Sequence, residues 1–157
     1  MSSRNNVDYS SRMPHMWADT LQAAERALWL RTLAWGAASM FAGTVLLAWL
    51  TIGARQSRLV QQFATQSIGW GAIEVSLAAG FLSRLAPRDL AGATRLDRLL
   101  WLNIGLDGGY LLAGVVLIGT GWRLGRRLGL IGAGMGVVVQ ACALALLDLM
   151  LAAQISR

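Results

Sequence analysis

The chain contains no lysine, one cysteine, one histidine and two prolines, and each scarcity removes a class of function. Cys142 alone cannot form a disulfide within the chain. With His15 as its only companion it cannot build a zinc cluster or a bis-histidine haem site. A nucleophilic role for Cys142 lacks a base, so an apolar filler is the plainer reading, and His15 is read as solvated. Charge is scarce too: 14% of residues are charged, against about a quarter in a typical soluble domain. All fourteen basic residues are arginine and the formal net charge is +6. That balance invites a nucleic-acid reading, but the arginines flank apolar runs and do not gather on one patch, which excludes nucleic acid as a partner. No hydrolase, kinase or metalloprotease constellation is present, no metal site is predicted, and no secretory signal is evident.

What is abundant is apolar sequence. Hydrophobic residues make up 55% of 157 residues, glycine occurs 18 times, and the mean hydropathy is +0.51. Four apolar segments, near 28–53, 60–84, 99–122 and 128–154, each exceed the roughly 20 residues that cross about 30 Å of hydrocarbon. The fold expected is all-α, a polytopic membrane protein with four transmembrane helices. Trp29 and Trp49 are 20 residues apart and Trp101 and Trp122 are 21 apart. Each pair therefore spans about 30 Å of helix, the spacing of interfacial aromatic belts. Residues 1–13 read as a flexible polar tail. Pro14 then opens a helix over 14–27, where Trp17, Leu21, Ala24 and Leu28 recur at helical spacing with Asp19 and Glu25 opposite. That segment either lies in the membrane interface or extends the first span. The domain proper is 28–157. Its connections are the basic turns Arg55–Arg58 and Arg123–Arg127, and a longer one from Pro87 to Arg98.

The two halves resemble each other. Leu28-Trp29-Leu30-Arg31 aligns with Leu100-Trp101-Leu102-Asn103, and Ala42-Gly43 with Ala113-Gly114. Gln66 and Glu74 are eight apart, as are Gln140 and Asp148. A repeat of two helices restores the same orientation, so two helical hairpins related by a pseudo-twofold axis along the membrane normal are expected. Both termini then share one face. It carries nine arginines, and the opposite face carries five and no acid. Counted near the spans, this tilts toward cytoplasmic termini in a bacterial inner membrane.

Inside this frame lies a polar layer. Glu74, Asp107 and Asp148 fall nine or ten residues from the flanking Arg84, Arg98 and Arg157, about 14 Å inside them at 1.5 Å per residue. Arg31 and Asn103 occupy matching places about one turn closer to the terminal face, and Gln66 and Gln140 lie deeper. Asn103, Asp107, Tyr110 and Gly114 share one stripe of the third helix. One ion pair between Arg31 and Asp107 or Asp148 is expected, with the other acids neutral or hydrated. Such a layer serves either as hydrogen-bonded glue that fixes helix register or as a proton, cation or solute site. For so short a chain the structural role is favoured. Gly105-xxx-Gly109-xxx-Ala113, Gly125-xxx-Gly129, Gly132-xxx-Gly136 and Ala34-xxx-Ala38-xxx-Ala42 are read as helix-packing faces. Gly132-Ala-Gly134-Met-Gly136 has neither the spacing nor the preceding strand of a dinucleotide fingerprint.

The run Leu102-Asn103-x-x-Leu106-Asp107-x-x-Tyr110-x-x-x-Gly114, followed by Gln140-x7-Asp148, resembles a bacterial four-helix membrane family known only as a domain of unknown function. The resemblance covers most of 28–154. It implies the same four-span fold and a shared polar site that includes Asn103, Asp107 and Tyr110, and it supplies no activity. The expected role is an accessory or assembly subunit, or a homo-oligomer, more plausibly not an enzyme, whose polar layer holds the helices in register. No cofactor is predicted, although a lipid, quinone or pigment is compatible with its apolar faces. The alternative is a small proton- or cation-coupled transporter or channel using Glu74, Asp107 and Asp148.

Overall fold

The computed structural model describes residues 9–53 and 56–155, with side chains from residue 18 onward. Residues 1–8 of the expected tail, Arg55, Arg157 and the side chains of His15 and Trp17 lie outside the described residues. Four α-helices follow in order: α1 (Tyr9–Ile52), α2 (Arg58–Leu82), α3 (Leu90–Arg123) and α4 (Leu128–Ile155), with no strand among the described residues. α1 is one helix of 44 residues, about 66 Å long, which begins before Pro14 and extends the first apolar run instead of lying apart from it. The middle connection is also shorter than the charges of 87–98 suggested. Asp89 caps α3 by accepting from the Gly92 N–H at 2.7 Å, so Arg95, Asp97 and Arg98 are already helical.

Three helical stretches are long and apolar enough to cross a bilayer: Ala18–Ile52, Leu90–Arg123 and Leu128–Ile155. α2 is not among them. Gln61, Gln62, Thr65, Gln66, Ser67, Glu74 and Ser76 dilute its 25 residues. α2 packs along α1 on one side and against α4 on the other, which buries Ser67 and Glu74, while α3 packs along α4. No backbone of α3 comes close to α1 or α2 among the described residues.

The buried positions explain the packing. On α2 they are Ala64, Ser67, Gly71, Glu74 and Ala78, alternating steps of three and four. On α3, Leu100, Asp107, Gly114 and Gly121 follow at steps of seven. A seven-residue period marks helices that cross at a shallow left-handed angle, and small residues on the seam let the backbones touch. A methyl on Gly36 would lie 2.8 Å from the Gly71 carbonyl, and one on Gly43 would lie 2.7 Å from that of Ala64. Gly114 and Gly134 make the corresponding contact between α3 and α4, where a methyl on Gly114 would lie 2.9 Å from the Gly134 carbonyl. Two of the expected packing faces meet no described helix of this chain. Ala34, Ala38 and Ala42 are exposed, and nothing lies within 4 Å of a methyl built on Gly105 or Gly109.

Candidate functional site

From the terminal face inward, the bundle is layered. The outermost polar contact is one that sequence spacing missed. Glu25 does not face away from Leu21 and Leu28 but shares their stripe, at 1% exposure. It accepts two hydrogen bonds from Arg88 of the α2–α3 connection, Nε to Oε2 at 2.8 Å and Nη2 to Oε1 at 2.6 Å. The bidentate fork fits guanidinium and carboxylate geometry. The Glu25 carboxylate holds the Arg88 guanidinium above the ordinary arginine range by hydrogen bonding, and burial opposes it only in part. Spacing of 21, 25 and 28 at steps of four and three carried the signal.

Beneath this pair, Leu28, Leu100 and Leu151 form an apolar plug with Ile104 and Leu147 packed around it. The acids come next. Asp107 is seven residues inside Leu100, about 10 Å. Glu74 is delivered by the close approach of α1 and α2, its Cβ 3.0 Å from a methyl that would be added to Gly36. Glu74 and Asp107 are buried at 2% and 5% exposure, and Asp148 is half-buried. Asp107 lies within electrostatic reach of both Glu74 and Asp148.

The rest of the expected layer is redistributed. Arg31 is exposed and makes no ion pair; the ion pair found among the described residues is Glu25 with Arg88. The physical reason is rotation: Arg31 sits outside the 21–25–28–32 stripe that faces the bundle. Asn103 is exposed, as is Tyr110, whose ring meets the edge of Trp70 at 5.1 Å and 70°. The inward stripe of α3 is therefore 100–107–114–121 and not 103–107–110–114. Gln66 is half-buried and packs against Gly136. Gln140 is buried and accepts a hydrogen bond from Trp35 Nε1 at 2.6 Å. Trp35 was not foreseen, although an indole N–H in an apolar helix needs an acceptor and Gln140 is a buried amide. Of the interfacial aromatics, Trp49, Trp101 and Trp122 are exposed. Trp29 is instead half-buried and stacked on Phe81, centroids 4.1 Å apart and planes 6° apart.

Both carboxyl oxygens of Glu74 and Oδ2 of Asp107 lack a hydrogen-bond partner. A small crevice between Trp70, Tyr110, Gln140 and Leu144 has no room for a water molecule. Among the described residues no three acid, histidine or cysteine side chains converge to hold a metal ion. The arrangement is incompletely bonded. Its chemistry is that of ionisable carboxyls facing one another without a cation, a state that proton transfer or a partner's donor would relieve.

No curated protein and no solved structure matches the chain. A family model, described as a family of unknown function (DUF6992), matches residues 31–149. That stretch holds Glu74, Asp107, Gln140 and Asp148, and the chain belongs to this family.

Proposed function

We propose that this chain is a multi-pass membrane protein of the bacterial inner membrane whose role is assembly. It docks other transmembrane helices, its own copies or those of a larger complex, on the outward surface of α3. Four spans arranged as two repeated hairpins fit this reading. α2 is 25 residues long, about 37 Å, and Ser67 and Glu74 are buried against its neighbours. The pairing of Gly43 with Ala64 and Ile68 recurs as Gly114 with Gly134 and Val138, which supports the repeat.

The observation that carries the reading is the condition of α3. Its backbone packs along α4, and its outward surface bears the exposed Asn103, which has no hydrogen bond among the described residues, and Gly105 and Gly109, with nothing within 4 Å of a methyl built on either. An unbonded amide facing hydrocarbon is unfavourable, and a glycine pair four apart admits a close partner backbone. Helix register within the chain rests on the glycine seams and the Trp35–Gln140 bond more than on the acids. Native mass spectrometry from mild detergent tests this: a fixed homo-oligomer or a stoichiometric partner is expected. Monomer alone, with no partner from the native membrane, would refute it.

A second reading is favoured by the unbonded oxygens of Glu74 and Asp107. Acids without a basic partner inside a span serve proton movement in many membrane proteins. In liposomes, Asp107→Asn would then abolish proton flux, and unchanged flux would remove this reading.

A further inference from the structure

The face opposite the chain termini carries a polar feature that the acid layer does not use. Two clefts meet there on a shared ridge of Gln56, Arg58, Gln61 and Gln62. One, of about 510 Å³, descends past Leu47 and Leu50 of α1. The other, of about 660 Å³, runs between α2 and α4 and is bordered by Arg127, Leu130 and Ala133. Each cleft is thus cationic and amide-lined at the ridge and apolar along its wall. The starts of α2 and α4 are pressed together: Gly132 seats against the Leu59 carbonyl, and a methyl on Gly129 would lie 3.6 Å from Gln62 Cγ. Arg58 and Arg127 therefore border the same cleft from neighbouring helices. No acid offsets them, since the first turns of α2 and α4 contain none. Arg126 is engaged elsewhere, its guanidinium 4.8 Å over the Trp122 ring. The exposed Trp49 and Trp122 sit at this same end, where a bilayer places its phosphates.

We propose that this ridge binds one anionic phospholipid. Arg58 and Arg127 hold the phosphate, Gln61 and Gln62 donate to its remaining oxygens, and the acyl chains lie on Leu47 and Leu50 and on Leu130 and Ala133. The guanidinium fork matches phosphate geometry, and the apolar walls continue into the hydrocarbon where the chains must go. A zwitterionic lipid brings an ammonium group, for which the ridge offers no carboxylate, so selectivity for net negative headgroups follows.

The test is native mass spectrometry of delipidated full-length protein titrated with phosphatidylglycerol, phosphatidylcholine or inorganic phosphate. Phosphatidylglycerol binds tightest to the wild type. Arg58→Gln with Arg127→Gln weakens it about 30-fold and each single change about 5-fold, at roughly 1 kcal/mol per arginine contact. Arg123→Gln removes a charge outside the clefts and leaves binding as it was. An equal loss in Arg123→Gln would mean diffuse surface charge only and overturn the site. Equal binding of phosphatidylcholine would overturn the selectivity, and equal binding of inorganic phosphate would overturn the lipid. The inference rests on the chain being embedded in a bilayer. Release of the protein from vesicles at alkaline pH would defeat that embedding. Retention in vesicles, with phosphatidylglycerol binding unaltered in the double variant, would defeat the ridge alone.

Discussion

Gln140 and Glu74 are both polar, buried and inside the bundle, yet they stand in opposite situations. The Gln140 oxygen receives the Trp35 indole N–H at 2.6 Å. Glu74 receives nothing on either oxygen. A made hydrogen bond between membrane helices contributes about 0.6 to 2 kcal/mol, whereas a buried carboxyl without donors contributes none and carries a desolvation penalty. Gln140→Leu, which orphans the indole, is therefore expected to destabilise the protein by about 1 kcal/mol or more. Glu74→Met, similar in volume, is expected to be neutral or stabilising. Thermal unfolding in detergent reads both. Equal destabilisation by the two would mean that Glu74 is bonded after all and that the acids act as glue.

At the scale of the element, the glycines divide into those that seat a neighbour and those that seat none. α2 contains both kinds: a methyl on Gly71 would lie 2.5 Å from the Gly36 carbonyl, and one on Gly80 would meet nothing within 4 Å. Gly71→Ala is expected to destabilise by about 1–3 kcal/mol through overpacking against backbone. Gly80→Ala is expected to be neutral or to stabilise by up to about 1 kcal/mol through helix propensity. A matching response at both positions, read in the same unfolding assay, would contradict the α1–α2 seam. The helices themselves were legible from the chain because apolar runs of this length, bounded by basic turns, leave few alternatives. Their rotation was not. Runs apolar on every side carry little phase information, so Gly105 and Gly109 could be mistaken for an intramolecular face, and Arg31 for an inward one. The steps of seven in α3, and of three and four around Glu25, held the phase, but only for the residues that touch a neighbour.

For the whole molecule, the polar layer was partly legible. The helix directions and the depth from flanking arginines set Glu74, Asp107 and Asp148 at one expected level, and Glu74 and Asp107 are buried. Their partners were not legible, since pairing depends on which helices neighbour one another, and a linear sequence does not order them. α3 ends at the periphery, its backbone close to α4 alone among the described residues, with the Glu25–Arg88 pair fastening the connection that leads into it. Both the unbonded amide and the empty glycines lie on this peripheral helix, which is why assembly through α3 is the central claim. Oxidative cross-linking in native membranes tests it most directly. Gly109→Cys in a Cys142→Ala background should form a disulfide-linked homodimer or a link to one defined partner. The unaltered protein, whose Cys142 is exposed on α4, should not. Absence of any product from position 109, or equal product from Cys142, would contradict the account.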